Sequence, residues 1–187
     1  MFSRILGKIR YKLLLQWIKP EMIPFKYSNN LRVIGTGVSN MTHISNRPNV
    51  YLGKDVFIGH FNYIDGHQKV NIGDGCQITN YVSILTHSSH DSLRLDPYGT
   101  SHFGLVEGSV EIGSHTYIGA HSVIMPGSKL GKGCIVSAYS YVSGKFPDYS
   151  ILRGQPAKLI GNTKERDLRL FEMNPKATST YYESLND

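Results

Sequence analysis

Val110-Glu111-Ile112-Gly113-Ser114-His115-Thr116-Tyr117-Ile118-Gly119-Ala120-His121-Ser122-Val123-Ile124-Met125-Pro126-Gly127 is the stretch whose reading decides the fold. Ile112, Ile118 and Ile124 stand six places apart, and Thr116, Ser122 and Ser128 follow each of them four places later. A strand alternates with period two and an α-helix with period 3.6, so neither template explains six. Three short strands per coil do. In such a coil the aliphatic residue points inward, the small one fits near a corner, and glycine relieves the turn. Coils then stack about 4.8 Å apart, each burying its interior only against its neighbours.

The same period runs outward in both directions. Leu52, Ile58 and Ile64, then Ile72, Ile78 and Ile84, form a first block. Ile112 to Val142, through Leu130 and Val136, form a second. Cys76, Val82, Cys134 and Ser140 take the fourth-after place. Val38 and Ile44 fit an imperfect earlier rung, and the eight-residue step from Ile64 to Ile72 requires a bulge at one corner. The expected fold is all-β, a left-handed parallel β-helix of hexapeptide repeats over residues 31–161.

Between Thr86 and Gly108 no hexapeptide fits, so residues 86–108 read as an excursion loop off one coil. A loop of that length inside a compact repeat is usually functional or disordered. The ends differ from the body. Phe2, Ile5, Leu6, Ile9, Leu13 and Trp17 lie on one face at helical spacing, giving an N-terminal amphipathic helical segment within residues 1–30. Residues 162–187 read as a short helix from Lys164 to Met173, stopped by Asn174-Pro175, and a tail.

Composition narrows the classes. The chain has 187 residues, 19 glycines, 18% charged residues and a formal charge of +6. Arg4, Lys8, Arg10, Lys12, Lys19 and Lys26 crowd the N-terminus, which points to a local role there and not to a nucleic-acid groove. One reading of the basic, amphipathic residues 1–26 is a cap on the β-helix; the other is peripheral contact with anionic lipid. Leu13-Leu14-Leu15, the longest apolar run, is too short to span a bilayer. Cys76 and Cys134 lack metal spacing and sit at the inward small position, so they read as packing in a reducing compartment. The expected location is cytoplasmic, including the inner face of the membrane.

Two stretches carry a family resemblance: Val110 to Gly127, and Phe146-Pro147-Asp148-Tyr149-Ser150-Ile151-Leu152-Arg153-Gly154-Gln155-Pro156-Ala157-Lys158. Together they resemble the hexapeptide-repeat acyltransferases, in the branch of the galactoside, maltose and surface-polysaccharide O-acetyltransferases. The resemblance implies a homotrimer with active sites between subunits. It also implies acetyl-CoA as acyl donor in a cleft between neighbouring coils, a sugar or glycan acceptor, and a catalytic histidine from the excursion. His90, in Ser89-His90-Asp91, matches the polysaccharide enzymes; His87 matches the galactoside enzymes under another gap placement. Asp91, or another carboxylate such as Asp96, would fix the tautomer of the base. Tyr117 stands where the family often has Trp. Ala120 and Ala138 align with small corner residues beside the pantetheine and thioester. Ser143 and Gly144 align with a stretch meeting the pantetheine arm, and Lys158 with a basic residue near the nucleotide phosphates. Lys145 and Arg153 are further candidates for phosphate contact, since a positive charge suits a phosphate.

The chemistry needs little machinery. A thioester is already activated, so one imidazole acting as general base near neutral pH suffices. Backbone N–H groups at a coil corner can hold the oxyanion. His43, His60, His67, His115 and His121 are scattered and lack ligand spacing, so no metal is expected. The leading expectation is acetyl transfer to a sugar hydroxyl in surface-polysaccharide synthesis. N-acetylation of a nucleotide-linked amino sugar is the first alternative, although no Gly-rich strand–turn–helix opens the chain. Others are a non-catalytic or carbonic-anhydrase-like β-helix, and antibiotic acetylation.

Overall fold

The computed structural model describes residues 9, 10, 13, 19–26, 32–95 and 103–173. They form a left-handed parallel β-helix with three flat faces. On the first face Val38, Ile58, Ile78, Ile118, Val136 and Leu152 stack in register. Ile44, Ile64, Ile84, Ile124 and Val142 do so on the second. Leu52, Ile72, Ile112, Leu130 and Phe146 do so on the third. Val38 and Ile44 therefore belong to a full rung.

These residues, with Ile44 and Phe146 half-buried, make the core. Each fully buried aliphatic side chain contributes about 1.5–3 kcal/mol. The small fourth-after residues, Cys76, Val82, Thr116, Ser122, Ser128, Cys134 and Ser140, are all buried. The hydroxyls of Thr116, Ser122 and Ser128 donate to the next coil: Thr116 Oγ1 to Gly131 O at 3.1 Å, Ser122 Oγ to Ser137 O at 3.0 Å and Ser128 Oγ to Val142 O at 3.2 Å. Burial pushes the Cys76 thiol up to about 11, which makes it packing and not a nucleophile. Gly119 is glycine by necessity, because a Cβ there would lie 2.4 Å from the Ala138 nitrogen of the coil above.

Antiparallel strands close both ends of the first face. Met22–Lys26 pairs with Arg32–Ser39 below. Above, Ser150–Gly154 folds back on Ala157–Asn162, and the helix Thr163–Met173 follows. The expected N-terminal helix falls largely outside the described residues; Ile9, Arg10 and Leu13 are helical, and Ile9 and Leu13 are exposed. Residues 96–102, Asp96 included, and 174–187 also lie outside them. Among the described residues no helix is long and apolar enough to cross a membrane.

Candidate active site

The second corner, where the second face turns into the third, departs from the regular coil. Two extra residues separate Ile64 from Ile72, and the residue after Ile64 turns inward: Asp65 is 2% exposed. Its Oδ1 accepts from Ser45 Oγ at 3.2 Å and the His67 N–H at 3.0 Å. Its Oδ2 accepts from the Thr86 N–H at 3.1 Å, Thr86 Oγ1 at 2.9 Å and His87 Nδ1 at 2.6 Å. Burial alone would raise the Asp65 pKa. The hydrogen bonds from His87, the His67 and Thr86 amides and the Thr86 hydroxyl outweigh it and bring the value down to about 2.

That carboxylate fixes the state of His87. An ionised carboxylate only accepts, so His87 Nδ1 carries a proton and Nε2 is the ring atom left to exchange one. The ring is about a third exposed while Asp65 beneath it is not. His87–Ser88 pairs antiparallel with Val106–Glu107, so a two-residue stem anchors the excursion at this edge. The His67 ring packs on the His87 ring, with centroids 4.4 Å apart.

His90 stands differently. It lies beyond the stem and is more exposed; Nδ1 meets Ser88 Oγ at 2.8 Å and Nε2 lies 3.4 Å from Asp91 Oδ2. Asp91 is itself paired with Arg94, in the short helix Ser92–Leu95. Asp91 is thus shared between an arginine and His90, and it does not touch His87 through any of these contacts.

The other candidates fall on two edges of the prism. Ser143 and Gly144 lie at the second corner, two coils above the turn that leads to His87, and Lys145 opens the third-face strand beyond them. Ala120 and Ala138 lie at the first corner, between the first and second faces. Arg153 and Lys158 face each other across the terminal hairpin, which Gln155 ties to the Tyr139 carbonyl at 2.9 Å. Tyr117 points outward from the first face. Beside Ala120 and Ala138 runs a column of rings: Phe61, Tyr81, His121 and Tyr139 all take φ 59° and stack 4.8–5.2 Å apart. A shallow groove of about 450 Å³ beside Tyr51, Glu111 and Lys129 on the third face holds none of the candidates. Among the described residues no group of three His, Cys, Asp or Glu could hold a metal ion.

Asp65 escaped the sequence reading, which took the eight-residue step as a simple bulge. The signal was there: an acid directly after an inward isoleucine, level with Leu85 and one place short of Thr86 once Ile64 is aligned on Ile84.

Residues 109–144 match the bacterial transferase hexapeptide family of six repeats. The galactoside O-acetyltransferase of Escherichia coli is 29% identical over 135 residues, 71% of this chain and 63% of its own. The "putative lipopolysaccharide biosynthesis O-acetyl transferase" of Escherichia coli is 27% identical over 116 residues, 59% of each. A solved galactoside acetyltransferase in complex with coenzyme A is 25% identical with a TM-score of 0.60, over 68% of this chain and 62% of that one. The chain spans less than two thirds of the length of these relatives.

Proposed function

We propose that the chain is an acyl-CoA-dependent O-acetyltransferase that moves the acetyl group of acetyl-CoA to a sugar hydroxyl, with His87 as general base and Asp65 as its positioning carboxylate. The observation that carries the reading is the buried, ionised Asp65 holding His87 Nδ1 at 2.6 Å where the ladder breaks. His87 Nε2 removes the acceptor hydroxyl proton as that oxygen bonds to the thioester carbonyl carbon. The tetrahedral intermediate collapses, the C–S bond breaks, and the thiolate takes the proton back from Nε2. Asp65 stays ionised throughout and favours the imidazolium while it exists. His90 and Asp91, at the mouth of the excursion, are left to acceptor contact.

The two-edge distribution supports a site between subunits. A full face separates Ala120 and Ala138 from His87, Ser143 and Gly144 in one copy. Two copies related by a closed symmetry can bring a first corner against a second corner. In the homotrimer we propose, the pantetheine arm runs between Ser143–Gly144 of one copy and Ala120–Ala138 of the next, with Arg153 and Lys158 toward the phosphates. Likeness to an enzyme named for lipopolysaccharide biosynthesis favours a surface-glycan acceptor. The basic residues 1–26 would then hold the enzyme at the inner face of the membrane, where lipid-linked glycans are accessible.

The test is a panel of glycosides and lipid-linked glycans incubated with acetyl-CoA and read for an acetyl mass increment. The product expected is an ester, cleaved by mild base, and formed about 10³-fold more slowly by His87→Ala. A base-stable amide product would replace the hydroxyl acceptor with an amine. Separately, sedimentation with anionic vesicles is expected to fall when residues 1–26 are deleted; equal binding would remove the membrane contact.

A further inference from the structure

Asp65 secures one ring nitrogen of His87, but a single in-plane hydrogen bond leaves the imidazole free to tilt about it. The remaining restraint comes from His67, one of the histidines that sequence reasoning set aside. Its ring lies against the His87 ring at 4.4 Å with 37° between planes. His67 Nε2 is held by Glu107 Oε1 at 2.6 Å, and Gln68 Nε2 donates to the same oxygen at 3.3 Å. Glu107 is the direct ladder partner of His87 on the return strand of the excursion.

The contacts therefore close a circuit. His87 pairs with Glu107 through the backbone, Glu107 holds His67 through its carboxylate, and the His67 ring returns to the His87 ring. The two extra residues in the Ile64–Ile72 step supply the circuit, because they are what place His67 and Gln68 at this corner. We infer that His67, tethered by Glu107, is a positioning residue that holds the His87 ring in its reactive plane and ties the excursion stem to the coil. The inference rests on the reading of His87 as base.

Displacing a reacting group by about 1 Å can cost about 100-fold in rate. His67→Ala is accordingly expected to lower kcat by about 10- to 100-fold while the Kd for acetyl-CoA stays within about twofold. His67→Phe restores a ring face without the tether and is expected to recover most of that loss. Glu107→Gln keeps a hydrogen-bonding partner for His67 and is expected to stay within about threefold of the parent chain. The readouts are thiol release from acetyl-CoA with the best glycoside of the panel, Kd by titration, and melting temperature. Parent-level kcat in His67→Ala overturns the inference, as does a His67→Phe protein that folds and recovers nothing. If His67→Ala does not fold, Glu107→Ala gives the same readout, with a loss of about three- to tenfold expected and none overturning it. His87→Ala, run in parallel, separates the two levels: parent-level turnover there removes the base assignment itself, whatever His67 does.

Discussion

Two edges of the same prism behave in opposite ways. At the first corner the inward residues step by six in every coil: Val38 to Ile44, Ile58 to Ile64, Ile78 to Ile84, Ile118 to Ile124, Val136 to Val142. At the second corner no such rule holds. Ile44 to Leu52 and Ile64 to Ile72 are eight apart, Ile84 leads to Ile112 only after the excursion, Ile124 to Leu130 is six, and Val142 to Phe146 is four. The uniform edge carries a continuous column of stacked rings, while the irregular edge carries Asp65, His67, His87 and Glu107. The difference teaches where chemistry can be placed on a solenoid. A regular turn satisfies its own backbone and leaves nothing over; an irregular turn can bury a carboxylate and aim an imidazole.

The largest expected effect tests the irregular edge directly. His87→Ala is expected to reduce turnover by about 10³-fold, within the range for loss of a general base, with acetyl-CoA binding retained. His90→Ala is expected to change kcat by less than about tenfold. The reverse ranking, measured by steady-state thiol release, would return the base to His90. Next comes the uniform part of the ladder: Ile78→Ala, fully buried, should cost about 2–5 kcal/mol in chemical denaturation, whereas Gln77→Ala on the same strand should cost under about 0.5 kcal/mol.

Asp65→Asn, at the irregular edge, is expected to change both stability and the hydrogen bond to His87. It is expected to cost about 1.5–3 kcal/mol at neutral pH. The sign with pH follows from the carboxyl group: its value of about 2 in the fold lies below the ordinary 3.8. Its stabilisation is therefore complete above about pH 5 and is lost as pH falls through about 2. The melting-temperature gap between parent and Asp65→Asn should close over that interval; a constant gap would argue that Asp65 is not held ionised. The smallest effect is expected far from the second corner. Arg153→Ala and Lys158→Ala should each raise the KM for acetyl-CoA a few-fold and leave kcat unchanged, as exposed phosphate contacts do.

Much of this architecture was legible in the residues. The six-residue period from Leu52 to Val142 places the inward positions that are buried, because the period follows directly from three strands per coil. The antiparallel closures were not legible. Met22–Lys26 and Ala157–Asn162 have no repeat and form strands because they meet an exposed sheet edge. At the site, the sequence offered His90 and His87 as candidate bases, with Asp91 or Asp96 as the partner. The carboxylate against His87 is Asp65, 22 residues earlier. A contact made between stacked coils has a separation set by coil length, and local motif reading cannot see it.

The antiparallel stem at His87–Ser88 and Val106–Glu107 has one more consequence. Whatever leaves the prism there returns on the very rung it left, since Ile112 still lies over Ile72. The excursion is a detachable module: its length and composition can drift without altering a single rung. Chains of this kind can thus vary what projects from this corner while the stacked core stays constant.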